Sequence, residues 1–258
     1  MEMYDNKEIF DKSWDKNYLS EELIQAQWAE FVQLKKVITE LYQRKKIPLS
    51  ILDIGIGNAR IAKHLSGIPE MWDMVDSFDG TDNAEACVIL SRQTAKELKI
   101  DDKVAVYLED AINLDSWNKK YDLIIITWFT AGNFYPTNFN FATYNPNKER
   151  LNLSKNEKFE KIFTNLYQLL NPNGEILIGA CYIDNEQTRK KQEYAYCKMG
   201  MTITTDEKDS FTATKEGFWS QRFTQNKIYD YLPFISPNKI NFIPLDTYTY
   251  AMQVRIKK

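Results

Sequence analysis

The chain has 258 residues, a formal net charge of −3 at pH 7 and a sequence pI near 5.5. Basic and acidic residues are interspersed without a long basic block, which argues against a nucleic-acid partner, because nucleic-acid-binding proteins usually carry a basic surface. Three widely spaced cysteines and a single histidine predict free thiols in a reducing cytoplasm and no metal site. The N-terminus lacks the apolar core of a signal peptide, and no run approaches the ~18 apolar residues of a membrane helix. We therefore expect a cytoplasmic protein with no membrane partner.

The predicted elements begin with a long amphipathic helix. Between residues 21 and 44, apolar side chains recur at helical spacing, and Ser20 supplies an N-cap. Short apolar runs after it predict strands at residues 48–54, 74–81, 104–108, 121–127 and 175–181. Helical periodicity between those strands predicts helices at residues 58–66, 84–98 and 159–170, and "NPNG" at residues 171–174 is a turn signal.

This alternation of strands and helices predicts the fold class. Strands that alternate with helices are joined by right-handed crossovers and form a parallel sheet. Residues 239–258, with "INFIP" and "YTYAMQVRI", are typical of two antiparallel strands that complete a mixed sheet. We expect an α/β, Rossmann-like, doubly wound sheet of about seven strands, mostly parallel with an antiparallel C-terminal strand.

Two segments interrupt the alternation. Residues 134–155 are rich in Asn and aromatic residues and are too long for a routine loop between a strand and a helix. Residues 201–224 alternate in a way that indicates a β-hairpin or a cap. We expect one domain over residues 1–258, in which an N-terminal helical lid, residues 1–45, and these two insertions lie over an active site.

The stretch "ILDIGIGNAR", residues 51–60, contains the first functional signal. A strand ends in D-x-G-x-G and runs into a helix, and glycine lets such a turn approach a ligand closely because it has no Cβ. The related dinucleotide-binding motif needs a small residue where Arg60 stands. The carboxylate of Asp53 would also repel a pyrophosphate, so the turn suits a cationic or amine-bearing ligand.

The segment "LDIGIG", residues 52–57, resembles the first motif of the class I S-adenosylmethionine-dependent methyltransferases. The resemblance continues in the correct order over about residues 48–181, and includes Asp122 near the start of the fourth strand and "LLNPNGEILI" before the fifth. It implies that the cofactor is S-adenosylmethionine, that the product is S-adenosylhomocysteine and that no metal is needed.

The same resemblance implies which residues bind the cofactor. The family's acidic residue after the second strand, which takes the ribose hydroxyls, corresponds to Asp82 in "FDGTDNAEA", with Asp79 as the alternative register. The acidic residue near the adenine amine corresponds to Asp110 in "VAVYLEDAINLD". The full implied set is Asp53, Gly55, Gly57, Asp82, Asn83, Asp110, Ala111 and Thr127.

A shorter resemblance concerns the methyl acceptor. "TAGNFYP", residues 130–136, is similar to the S-T-x-G-N-x-x-P segment of the histidine Nα-methyltransferases of ergothioneine biosynthesis. It implies that Asn133 holds the acceptor, and we predict catalytic roles for Asn133 and Trp128. That family's E-x-S pair is not reproduced, because Glu216 and Ser220 are four residues apart. The N/D-P-P-Y/F signature of exocyclic-amine DNA methyltransferases is absent too, which favours a small-molecule acceptor.

Aromatic residues supply the predicted substrate pocket, because aromatic faces attract alkylammonium and sulfonium groups. We predict substrate contacts from Tyr18, Phe134, Tyr135 and Trp219. The sequence thus predicts an S-adenosylmethionine-dependent methyltransferase, EC 2.1.1 class, that methylates a small, amine-bearing metabolite by in-line displacement. The alternatives are a protein or peptide methyltransferase, a non-catalytic S-adenosylmethionine-binding partner subunit, and a nicotinamide-linked oxidoreductase, against which Asp53 and Arg60 argue. The acceptor and the oligomeric state are not indicated by the sequence.

Overall fold

A computed structural model describes residues 10–12, 15, 17–19, 21–245 and 250–258, apart from the Glu22 side chain. Ser20, predicted to cap the first helix, lies outside the described residues. The strands are β1 Leu49–Ile54, β2 Val75–Asp82, β3 Val104–Leu108, β4 Tyr121–Ile126, β5 Leu170–Ile183, β6 Phe211–Ala213, β7 Trp219–Phe223, β8 Ile240–Pro244 and β9 Ala251–Lys257. The helices are α1 Glu21–Lys45, α2 Arg60–Ser66, α3 Pro69–Trp72, α4 Glu85–Glu97, α5 Glu157–Leu169, α6 Glu186–Lys198 and α7 Gln225–Tyr231, with 3-10 turns at Ala111–Ser116, Thr130–Asn133 and Pro237–Lys239.

The strands form one mixed sheet. The order β3-β2-β1-β4-β5 is parallel throughout, and β9 then pairs antiparallel with β5 and β8 with β9. This confirms the predicted mostly parallel sheet with antiparallel strands at its C-terminal end. The described residues contain nine strands instead of about seven, because residues 201–224 contribute the antiparallel pair β6 and β7.

Helices cover both faces of the sheet. Alternate β4 side chains point to opposite faces: Leu123 packs in a core with Leu34 and Ile38 of α1, whereas Ile124 packs in a second core with Phe159 of α5. Every residue of β4 is buried, as expected for a central parallel strand. Within the described ranges, no helix combines the length and apolar character needed to cross a bilayer.

The predicted "NPNG" turn lies inside β5. Asn173 has a left-handed φ of 58°, and the β4–β5 pairing moves from Leu170 opposite Tyr121 to Glu175 opposite Leu123. The four residues therefore form an irregularity in a continuous strand, because pairing with β4 resumes directly after them.

β7 extends past the carboxyl end of β4. The Ile183 N–H, at the end of β5, donates to the Tyr250 carbonyl at 2.9 Å, whereas the next amide, Asp184, donates to the Phe223 carbonyl of β7 at 3.0 Å. Successive amides of an extended chain point to opposite sides, so β7 lies on the side of β5 that β4 occupies. The β6–β7 hairpin therefore reaches the edge of the sheet at which β1, β2 and β4 end.

Candidate active site

A cleft of about 680 Å³ lies at the carboxyl edge of β1, β2 and β4. This is the edge at which open α/β sheets bind ligands. It is lined by all but one of the site residues predicted from the sequence: Asp53, Gly55, Gly57, Asp82, Asn83, Asp110, Ala111, Thr127, Trp128, Asn133, Phe134, Tyr135 and Trp219. The exception is Tyr18, which lines a separate cavity of about 60 Å³ beside Tyr182 and Tyr250. From the predicted N-terminal lid, residues 1–45, the described residues that line the cleft are Leu19, next to Tyr18, and Gln27 of α1.

The glycine turn connects β1 to the end of β2. Gly55 and Gly57 have φ of 71° and 58°, in the left-handed region that favours glycine. The N–H groups of Gly55 and Ile56 both donate to the Thr81 carbonyl, at 2.8 and 2.9 Å. A Cβ on Gly55 would lie 2.7 Å from Thr130 Cγ2, so both the conformation and the available space require glycine there.

Asp82 fixes the position of this turn. Its Oδ2 accepts a hydrogen bond from the Gly57 N–H at 3.0 Å, and its Oδ1 accepts one from the Ala84 N–H at 3.0 Å. The alternative register, Asp79, is not among the residues that line the cleft, and its carboxylate accepts from Tyr121 Oη at 2.6 Å and from Lys119 Nζ at 2.7 Å. Of the two candidate carboxylates, Asp82 is therefore the one at the cleft.

Asp53 places a buried carboxylate at the end of β1. The side chain is 1% exposed, and its Oδ1 has no hydrogen-bond partner. Burial raises the pKa of Asp53 well above its usual range; the Arg60 guanidinium opposes this shift, and the Glu30 and Asp82 carboxylates add to it. A cationic hydrogen-bond donor in the cleft would satisfy the oxygen and stabilise the ionised form.

Glu30 links three elements beside the cleft. It is fully buried on α1, its Oε2 pairs with Arg60 NH2 of α2 at 2.6 Å, and its Oε1 accepts from the Trp128 N–H at 2.8 Å. The Arg60 guanidinium lies 5.6 Å above the Trp128 ring. Trp128 and Phe129 both have left-handed backbones, with φ of 53° and 62°, directly after β4. Strained non-glycine residues of this kind cluster at functional sites.

Two further residues that line the cleft carry an unpartnered polar atom. Asn133 Oδ1 and Trp219 Nε1 are buried without a hydrogen-bond partner. The Trp219 ring stacks on Phe211 at a centroid distance of 3.8 Å and meets Phe139 edge-on at 4.5 Å. Phe139 belongs to residues 134–155, and Phe211 to residues 201–224. The two predicted insertions therefore pack against each other beside the cleft.

Asp110 lies at the β3 side of the cleft. Its Oδ1 accepts from the Ile112 N–H at 3.1 Å and so caps the 3-10 turn that carries Ala111. Its Oδ2 lies 3.6 Å from Lys158 Nζ, which also sits 5.1 Å above the Tyr135 ring. This arrangement leaves Asp110 partly exposed to the cleft.

Comparison with known proteins identifies the family. Residues 46–234 match the family described as "Methyltransferase domain". The chain belongs to the methyltransferase-domain family. Comparison of the sequence with curated proteins gives no significant match.

Solved structures share the fold of this methyltransferase. A S-adenosylmethionine-dependent methyltransferase from Clostridium acetobutylicum superposes with a TM-score of 0.53 at 13% identity, over 89% of this chain and 90% of the other. The magnesium protoporphyrin IX methyltransferase of Synechocystis PCC 6803, with bound S-adenosylhomocysteine, superposes with a TM-score of 0.54 at 13% identity, over 93% of this chain and 88% of the other. The 1,6-didemethyltoxoflavin-N1-methyltransferase of Burkholderia thailandensis superposes with a TM-score of 0.50 at 12% identity, over 86% of this chain and 76% of the other. The protein thus has the fold of the class I S-adenosylmethionine-dependent methyltransferases.

The Glu30–Arg60 pair of this methyltransferase is not predicted by the sequence. One signal for it is present: Glu30 lies among Ala26 and Leu34, which are buried on the same stripe of α1 at a spacing of four residues. A charged residue within such a stripe needs a buried partner. No sequence pattern identifies Arg60 as that partner, because the two residues meet only in the folded methyltransferase.

Metal ligands are not grouped in the part of the methyltransferase that the structure describes, where no three His, Cys, Asp or Glu side chains could share an ion. The single histidine, His64 of α2, contacts the rings of Trp28 and Phe31 at centroid distances of 5.4 and 5.1 Å. The cleft is lined by hydrogen-bonding, charged, aromatic and aliphatic side chains.

Proposed function

We propose that the protein transfers the methyl group of S-adenosylmethionine to a small, amine-bearing metabolite. The observation that carries the proposal is the unpartnered, buried Asp53 Oδ1 beside the turn at Gly55 and Gly57. An ammonium group, such as that of the cofactor's methionine tail, would give this oxygen a charged donor. The residues present therefore fit the cofactor, which supplies an electrophilic methyl group and its own leaving group when bound.

The adenosine half of the cofactor would lie toward β2 and β3. Both Asp82 oxygens already accept a backbone N–H, yet an ionised carboxylate has about four lone-pair sites and can accept further bonds from ribose hydroxyls. Asp110, which is partly exposed at the cleft, would accept from the adenine amine, and Ala111 would contact the ring. These roles are the ones that the family resemblance implies, and the positions of the side chains along the carboxyl edge of the sheet support them.

The acceptor would bind at the other end of the cleft. Asn133 Oδ1 is a buried acceptor without a donor, which an amine N–H would satisfy. Phe134, Tyr135 and Trp219 would exclude water and hold a cationic product by cation–π contact. An amine attacks through its lone pair once it has lost its proton, so the protein has mainly to align it. Alignment of this kind can contribute on the order of 7 to 11 kcal/mol.

The packing of the two insertions supports a small acceptor over a protein or a peptide. Phe139 and Leu153, from residues 134–155, are buried in one cluster with Phe211 and Trp219 of the hairpin. A peptide acceptor would need an open groove at this position. The buried cluster instead joins the two insertions beside the cleft, and this supports a compact acceptor.

Calorimetric titration with S-adenosylhomocysteine, with NAD as the control ligand, tests the cofactor half. We expect micromolar binding of the first and none of the second. A screen of amines with methyl-labelled S-adenosylmethionine then tests the acceptor half, and label in a small amine is the expected product. Binding without transfer to any acceptor in a cell extract would favour the non-catalytic alternative. No binding of either ligand would refute the proposal.

A further inference from the structure

Arg60 has one guanidinium nitrogen without a partner. NH2 is held by Glu30 at 2.6 Å and the planar group lies over the Trp128 ring, but NH1 is buried and makes no hydrogen bond. Arg60 lines the cleft, and its side chain is 15% exposed. A buried N–H of a charged group without an acceptor is costly, so this nitrogen is a candidate ligand-binding atom.

Asp53 and Arg60 form a complementary pair across the glycine turn. Each presents one buried, unpartnered atom, Asp53 Oδ1 and Arg60 NH1, so the two atoms do not satisfy each other. Both residues line the same cleft, and the charge of Arg60 acts on Asp53. An α-amino acid group carries an ammonium and a carboxylate on one carbon. Such a group would satisfy both orphaned atoms at once.

We propose that Arg60 NH1 binds the carboxylate of the cofactor's methionine tail, and that Glu30 is the positioning residue that holds Arg60 for it. The inference rests on the proposed function, in which Asp53 receives the ammonium group of the same tail. Guanidinium suits this task, because its N–H groups point in fixed directions and one can be held while another binds a ligand.

Glu30 fixes Arg60 because it is itself held in place. It is fully buried, and its other oxygen accepts from the Trp128 N–H at 2.8 Å. β5 leaves room for it at Gly179, where a Cβ would lie 2.3 Å from Glu30 Oε1. Through Glu30, the N-terminal helix α1 thereby supports the site proposed for the methionine tail.

A ligand and mutant cycle tests the proposal by calorimetry. The ligands are S-adenosylhomocysteine and its decarboxylated analogue, the same thioether with an aminopropyl tail. We expect the wild type to bind S-adenosylhomocysteine about tenfold or more tightly than the analogue. Arg60→Met should remove that preference, so that the variant binds the two ligands with similar affinity. Lys63→Met is the matched control, because Lys63 is an exposed cation of the same helix that also lines the cleft. It should preserve the preference.

Glu30→Gln provides the second arm, with folding checked by circular dichroism. If Glu30 positions Arg60, this variant loses more affinity for S-adenosylhomocysteine than for the analogue. A merely structural role would lower the affinity for both ligands equally. If Arg60→Met does not fold, Arg60→Lys takes its place. Lysine retains the positive charge, but it has a single nitrogen and so cannot offer one nitrogen to Glu30 and another to the ligand. Failure of the wild type to bind S-adenosylhomocysteine would refute the proposed function itself. Binding with equal losses for both ligands would overturn only the role of Arg60.

Discussion

Glu30 Oε1 accepts a hydrogen bond from the Trp128 N–H at 2.8 Å, although the two residues are 98 positions apart. This bond joins the N-terminal helix to the loop that follows β4. Trp128 and Phe129 are both left-handed there, and such non-glycine conformations cost on the order of 1 to 3 kcal/mol each. They persist only where the surroundings hold them. The Glu30 carboxylate is therefore a structural support for the floor of the cleft.

Removal of Glu30 should destabilise the protein strongly. Glu30→Ala leaves the Arg60 guanidinium and the Trp128 N–H without their buried acceptor, and breaking a buried pair in this way costs about 3 to 5 kcal/mol of unfolding free energy. Urea denaturation measures it. Glu30→Gln should lose less unfolding free energy than Glu30→Ala, because the glutamine amide oxygen can still accept a hydrogen bond from the Trp128 N–H. The control is Glu40→Ala on the same helix, whose side chain is 55% exposed in a pair with Arg255 and should contribute at most ~1 kcal/mol. Equal losses for the two alanine variants would contradict this account.

The turn at Gly55 should be intolerant of a side chain, whereas a nearby glycine should not be. Gly55→Ala combines a φ of 71° with a Cβ 2.7 Å from Thr130 Cγ2, so we expect a loss of S-adenosylhomocysteine affinity of about tenfold or more. Gly67, at the end of α2, has a right-handed backbone, and its Cβ would make ordinary contacts at 3.6 Å. Gly67→Ala should bind as the wild type does. Calorimetry on the two variants decides, and similar affinity for both would show that the turn is not a ligand cradle.

Burial explains why the strands are easier to predict than the later helices. β1 to β4 lie within one or two residues of the predicted segments. The signal is strongest in β4, where the apolar run after Asp122 specifies a strand that is buried on both faces. Helix α6, "EQTRKKQEYAYCK", is not predicted, since its polar residues give almost no apolar stripe. Its cap is a usable signal: Asn185 accepts from the Thr188 N–H at 2.8 Å.

The site residues also differ in how well the sequence predicts them. Asp53, Gly55 and Gly57 are predictable because the turn needs them within five consecutive residues, so the sequence displays the motif directly. Arg60 in contrast looks unfavourable when it is compared with a dinucleotide motif. Its role depends on a carboxylate 30 positions earlier in the chain, and only the packing of α1 on the sheet brings the two together. Local patterns cannot specify a contact of that kind.

Thiol labelling should distinguish one cysteine from the other two. Cys197 is exposed, whereas Cys87 and Cys181 are buried, and burial raises the pKa of both thiols. Since the thiolate is the reactive form, a disulfide reagent at mildly alkaline pH should modify Cys197 rapidly and the other two slowly. Cys197→Ser should abolish the fast reaction, and guanidinium should make the remaining two thiols react. A second fast thiol in the folded protein would contradict the packing around β5 or α4.

Asn133 should affect turnover without affecting the cofactor. Asn133→Ala removes the unpartnered Oδ1 proposed to orient the amine, and loss of one positioning hydrogen bond should lower kcat about tenfold or more. S-adenosylhomocysteine affinity should stay within a factor of about two. Asn138→Ala, at an exposed position of the same loop, is the control and should change neither quantity. A parallel fall in cofactor affinity and turnover would assign Asn133 to the structure of the loop.

Asp53 should reduce stability in the absence of ligand. Burial raises its pKa in the folded state, so the folded protein binds this proton more tightly than the unfolded chain, whose Asp pKa is about 3.9. The resulting stabilisation is fully present below the unfolded pKa and is lost as the pH rises through the folded one. Above the unfolded pKa, the folded protein must either take up a proton that the unfolded chain has released or bury an ionised carboxylate without a donor, and both reduce its stability. Asp53→Asn should therefore have the higher Tm at pH 7, and the difference should shrink on acidification.

Cofactor should reverse that order, because a ligand stabilises only the state that binds it. With saturating S-adenosylhomocysteine, the wild type should gain Tm through the pairing of Asp53 with the ligand's ammonium group, and the Asn variant should gain little. The affinity of S-adenosylhomocysteine for the wild type should also rise with pH as Asp53 loses its proton, since the ammonium group prefers the ionised carboxylate. Thermal melts of both proteins with and without ligand, from acid to neutral pH, test these expectations. An Asn variant that is less stable than the wild type without ligand would show that another group already satisfies Asp53, and the ammonium site would then lie elsewhere.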